Sequence, residues 1–186
     1  ETVLPQNFAF GVSCFSAGGE WPERMKQQHG VPWDFYYVYA VLVDDIKARN
    51  EHLMNFLRRS EKANAIPIVS YYQFLDRGRR KGLKGSEIEI VVQAIKDKDL
   101  IREYLTDVKE VLRVLAKFDR PVIFHSEPDS WAFMEWRGTN DTHDAKQCPA
   151  MVKSCGLPEA ANFDDHAAGL AQAILHLRDL YAPCVY

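Results

Sequence analysis

Glu127 and Asp129 stand one residue apart in Pro121-Val-Ile-Phe-His-Ser-Glu-Pro-Asp-Ser-Trp-Ala-Phe-Met-Glu135. Of two carboxylates this close, one can raise the proton affinity of the other and suit it to acid catalysis. The residues before them, Pro121 to Phe124, read as a short apolar strand, and Trp131 to Met134 read as the start of a helix. A strand that delivers carboxylates at its C-terminal end, just before a helix, is where (β/α) barrels place catalytic acids. Strand alternation predicts His125, Glu127 and Asp129 on one face, with Pro128 disturbing the last step. Three such side chains on one face also fit a metal site. No second ligand cluster accompanies them, since His143 and His166 fall in or beside a polar stretch. A purely local reading has Asp129 or Ser130 capping the next helix, but a cap does not require the Glu two residues earlier. Acid–base chemistry without metal or cofactor is the expectation.

The elements that must position these residues follow an alternating pattern. Residues 8–13 read as a first strand, and the aromatic run 32–39 leads into a second at 40–43. Asp44 or Asp45 then caps a helix to about Lys62, with Ile46, Leu53, Phe56 and Leu57 along one stripe. Residues 66–72 form a third strand, with Pro67 near its start, where proline is tolerated. Leu100, Tyr104, Val108, Val111, Leu112, Leu115 and Phe118 recur at helical spacing, and the helix they define feeds the strand before Glu127. Asp164 is placed to cap a last helix whose buried side carries Ala167, Leu170, Ala171, Ile174 and Leu177. Residues 182–186 open a fifth strand.

Strands alternating with long helices imply parallel βαβ units. The expected fold is therefore α/β, a parallel (β/α) barrel in a single domain spanning residues 1–186. A closed barrel usually takes about 250 residues, so the chain reads as the first four to five strands of one. A further segment or a partner chain is then expected to cover the open edge. With 47% apolar residues the chain can bury a sizeable core. Its net charge of −3 argues against a dedicated nucleic-acid binder. No run of residues approaches the ~18 apolar residues of a membrane span.

Residues 76–84, Asp-Arg-Gly-Arg-Arg-Lys-Gly-Leu-Lys, concentrate positive charge but lack P-loop spacing, and read as a solvated loop. Cys148 and Cys155 flank a short segment that a disulfide can close. Asn140-Asp141-Thr142 is a glycosylation sequon in the same stretch, and Glu1 rather than Met as the first residue suits a processed chain. Together these point to a secreted or cell-surface protein.

The order strand, Glu127-Pro-Asp-Ser130, apolar helix resembles glycoside hydrolase family six, the secreted cellulases and cellobiohydrolases. The likeness runs over about residues 66–186 and takes in Cys155-Gly-Leu-Pro, the helix from Asp164, and Ala182-Pro-Cys-Val185. Ser70-Tyr-Tyr-Gln-Phe-Leu-Asp-Arg77 occupies the place of the family's strand ending in Tyr-Asp and its Asp-Arg-Asp turn, with Tyr72 where the family has its first Asp. The N-terminal part, Phe10-Gly-Val-Ser13 and Gly30-Val-Pro-Trp-Asp-Phe-Tyr36, resembles secreted bacterial barrel proteins of uncharacterised activity.

The first resemblance implies a hydrolase of β-linked polysaccharide with Asp129 as general acid. Glu127 and Asp76 are candidates for the supporting carboxylate. Such an acid must hold its proton near neutral pH, through burial or a neighbouring carboxylate. Sugar binding also needs flat apolar platforms with polar edges, and Trp131, Tyr71, Tyr72, His125 and Trp33 are the candidates. The alternative is a non-catalytic glycan-binding or cell-surface barrel protein.

Overall fold

A computed structural model describes residues 9–13, 20–40 and 45–186. The fold is α/β, and the chain divides into two compact units that interleave along the sequence.

The first unit takes in the N-terminal segment to Tyr71, residues 114–126 and residues 184–186. It holds a parallel four-stranded sheet, β1 (Gly11–Ser13), β2 (Phe35–Tyr39), β3 (Ile66–Tyr71) and β4 (Ile123–Ser126), whose strands lie side by side in chain order. Phe35 aligns with Ile66, and Ile68 with Ile123. The expected start of a fifth strand is present as a short parallel pairing. Tyr186 N–H donates to the Val122 carbonyl at 2.9 Å, and Phe124 N–H donates to the Tyr186 carbonyl at 2.7 Å. A strand forms on the aromatic run itself, where alternation buries Tyr36 and Val38. Residues 41–43 and Asp44, which carried the expected second strand and one of its two capping candidates, lie outside the described residues.

Helix α1 (Trp21–His29) and helix α2 (Ile46–Lys62) belong to the same unit. Asp45 caps α2 by accepting from Ala48 N–H at 2.9 Å. Leu53, Phe56 and Leu57 are buried as their spacing predicts, whereas Ile46 in the first turn stays exposed.

The second unit comprises residues 72–113 and 127–183. The first part of the cationic stretch, residues 76–80, folds instead into α3 (Phe74–Arg80), because Phe74, Leu75 and Gly78 give it a buried face, while residues 81–84 form a turn and loop as read. Helix α4 (Glu87–Ala94) was not expected, although Ser86-Glu-Ile-Glu89 closes a full capping box at its start. Helix α5 (Lys98–Leu115) buries Leu100, Tyr104, Val108, Val111 and Leu112 on the predicted stripe, and Phe74 stacks on Tyr104 with ring centroids 4.0 Å apart. Helix α6 (Ser130–Phe133) runs into a wider π-helical turn, Met134–Gly138, and short 3-10 turns precede α7 (Ala167–Tyr181). His166, not Asp164, caps α7, its Nδ1 accepting from Gly169 N–H at 2.9 Å. A side chain at Gly169 would strike the Asp164 carbonyl. The disulfide that Cys148 and Cys155 could close is not formed. Both are buried free thiols, and burial pushes both thiol pKa values up.

One cluster ties α5 to α7. Glu159 accepts from the Tyr181 hydroxyl at 2.7 Å and from Lys109 Nζ at 3.0 Å, and Arg113 covers the Tyr181 ring. The Tyr181 bond, the local backbone and the Lys109 partner lower the Glu159 pKa to about 2. A depressed folded-state pKa stabilises above the unfolded value and is lost as pH falls through the folded one. Urea midpoints should therefore drop between about pH 4.5 and pH 2 in the wild type, and Glu159→Gln should show a shallower drop over the same window.

Candidate acid site at the Glu127 clamp

Immediately after β4, Glu127 takes a φ of 48°, in the left-handed region that side chains other than glycine seldom adopt. This ends the strand and separates the three side chains expected on one face. Glu127 is fully buried, whereas His125 and Asp129 are exposed. The alternation argument fails because strand geometry stops at Ser126.

The buried carboxylate is occupied on both oxygens. Oε1 accepts from the backbone N–H of Gln73 at 2.7 Å and of Phe74 at 3.3 Å, and Oε2 accepts from Ser130 Oγ at 2.6 Å. The two N–H groups open α3, where helices present donors with no partner inside the helix. Glu127 thus caps α3 from 54 residues away in sequence, and the positive end of the helix favours its negative form. The Glu-Pro-Asp-Ser tip and the segment from Tyr72 to Asp76 are thereby joined.

Two opposing influences set the protonation of Glu127. Burial pushes its pKa up from the ordinary carboxylate value to about 7, against the downward pull of Ser130, the two backbone donors and the Arg77 guanidinium. At neutral pH the carboxyl divides between its acid and anionic forms. Arg77 is itself buried and is held by Asp107 Oδ2 at 2.8 Å.

Tyr72 sits in the same field. Its hydroxyl is buried without a hydrogen-bond partner. Burial first, then Glu87, Asp129 and Glu127, raise its pKa to about 12. The phenol therefore stays a neutral donor. A buried donor left unpaired costs about 1–3 kcal/mol.

Asp129 stands at the start of α6, exposed, and its side chain makes no capping bond. The local capping reading therefore does not describe it. Asp76 lies exposed in the first turn of α3. Trp131 is half-buried and lines a cavity of the second unit. The other expected platforms are in the sheet unit. Tyr71 is wholly buried beside Phe124, with ring centroids 5.7 Å apart, and so offers no face to a sugar. Exposed His125 meets Tyr37 edge-on at 6.5 Å. Trp33 is half-buried, donating from Nε1 to the Pro22 carbonyl at 3.1 Å beside Trp21.

Among the described residues no three His, Cys, Asp or Glu side chains are grouped to hold a metal ion, and none of the described helices is long and apolar enough to cross a membrane. Sequence reasoning missed Gln73, which acts through its backbone, and the Arg77–Asp107 pair, whose members are 30 residues apart. No protein-family model, curated protein or solved structure matches the chain.

Proposed function

We propose that this protein is a secreted or cell-surface glycoside hydrolase of (β/α) barrel type, acting on a β-linked polysaccharide with Asp129 as general acid. The observation that carries the reading is the Glu127 clamp. It fixes the Glu-Pro-Asp-Ser tip to the Tyr72–Asp76 segment while leaving Asp129 exposed and within the electrostatic reach of Tyr72. Glu127 is a positioning residue, since both its oxygens are taken by protein donors. Asp129 would protonate the leaving oxygen. The chain-order parallel sheet with its fifth-strand pairing favours the barrel architecture. The exposed sequon at Asn140 favours a location outside the cell.

The test is release of reducing ends from β-linked glucans. Asp129→Asn should lower turnover by about a hundredfold or more with an unchanged melting temperature. Wild-type turnover by that variant would remove the assignment of Asp129. A second reading, glycan binding without catalysis, draws on the same clamp, because Glu127 is not available as a second reacting carboxylate. Saturable glucan binding with no turnover by the wild type would establish that reading instead.

A further inference from the structure

The second unit contains an apolar cavity of about 250 Å³ that the clamp and Asp129 do not use. Trp131, Met134, Cys148 and Ala171 line it, and the exposed pair Glu135 and His143 forms its polar side. The backbone around it departs from regular structure in two places. The π-helical turn Met134–Gly138 widens the helix where the wall begins, and such turns recur at functional sites. The loop that follows holds Asn140, Asp141 and His143 at positive φ, the left-handed region that these three residue types enter more readily than others when local hydrogen bonds support it. Thr139 supplies that support. Its hydroxyl donates to the Glu135 carbonyl at 2.7 Å and accepts from His143 N–H at 3.1 Å. This brings His143 Nδ1 to 3.3 Å from Glu135 Oε1.

We propose that this cavity binds a small aromatic molecule carrying one hydrogen-bond donor. Size comes first: an apolar cavity of about 150 Å³ holds benzene, so the larger space here admits a fused or substituted ring. Shape and surface come next. Trp131 offers a ring to pack against, and half-buried Ala168 and Ala171 complete the apolar wall. Glu135 supplies the polar term: one of its oxygens faces His143, which leaves the other to accept from an N–H or O–H and to oppose an anionic substituent. The polar side thus selects among rings that the apolar wall alone would not distinguish. This site is independent of the glycan reading.

The probes are indole and benzoate, of similar size and opposite character at the polar edge, titrated into the whole chain by ligand-observed NMR. Indole should saturate with a submillimolar to low-millimolar Kd, and benzoate should bind at least tenfold more weakly. Ala171→Leu fills the cavity from a half-buried position on α7 and should raise the indole Kd at least tenfold. Ala168→Leu, from the next lining position, should act in the same direction. If both variants fail to fold, amide shift changes in the wild type decide. They should concentrate at residues 131–148 and 167–171. No saturable indole binding, equal binding of benzoate, unchanged affinity in a folded filling variant, or shift changes elsewhere would overturn the proposal.

Discussion

Glu127→Ala is expected to destabilise the protein by about 3–5 kcal/mol, a large part of the total stability of an ordinary domain. The variant removes the acceptor from Gln73 N–H, Phe74 N–H and Ser130 Oγ at once, in a site closed to water. It also leaves alanine in a left-handed conformation with no clamp to hold it there. Glu127→Gln is the informative companion, since the amide oxygen can still accept from the two N–H groups and Ser130 can turn its hydroxyl to accept from the amide. The two variants also separate charge from shape. The folded-state pKa of Glu127, about 7, lies above the unfolded value, so its proton stabilises the fold at low pH. That stabilisation is complete below about pH 4.5 and is lost as pH rises through about 7, a change of about 3 kcal/mol. Urea denaturation of the wild type should show this decline, and Glu127→Gln should not. Equal pH slopes for the two proteins would mean that folding does not shift the Glu127 titration from its unfolded value.

Asp107→Ala should rank next, at about 3–5 kcal/mol. It removes a 2.8 Å charge-assisted bond from the Arg77 guanidinium, which is 9% exposed. Glu103, at 3.9 Å and mostly in solvent, is a poor replacement. The double variant Arg77→Met, Asp107→Leu should recover much of the loss, because it removes both charges and keeps apolar volume. It should also shift the Glu127 titration upward, since Arg77 is one of the groups holding that pKa down. The pH window in which stability declines should then move to higher pH. Recovery of stability without movement of that window would sever the link between Arg77 and Glu127.

The strands and long helices were legible because their signals are local. The stripe from Leu100 to Leu112 is a period, and the approach to Glu127 is a run of apolar residues. Pairing of Val122 with Val185 was also within reach, since strands in βαβ units add in order. Helix α3 was hidden by its composition. Four cations in Arg77–Lys81 resemble a solvated loop, and only Phe74 and Leu75, placed just before them, betray a buried face. Helix α4 carried a readable capping box that the neighbouring charge run obscured. At the site, the sequence set Glu127 and Asp129 side by side and treated them as equals. What separates them is one backbone torsion at Glu127, which sends one carboxylate inward and leaves the other outside. The Gln73 and Phe74 contacts use main-chain atoms, which any residue possesses, so no side-chain pattern announces them.

The interleaving of the two units constrains how the protein is made. The start of α3 leaves the ribosome with its N–H groups open, and the carboxylate that closes them lies 54 residues further on. At ordinary elongation rates that interval lasts roughly 3–11 s. During it, the aromatic face of Phe74 and the buried side of α5 must find temporary cover. Slow synthesis between residues 73 and 127 would lengthen this exposure, and chaperone contact should be greatest there.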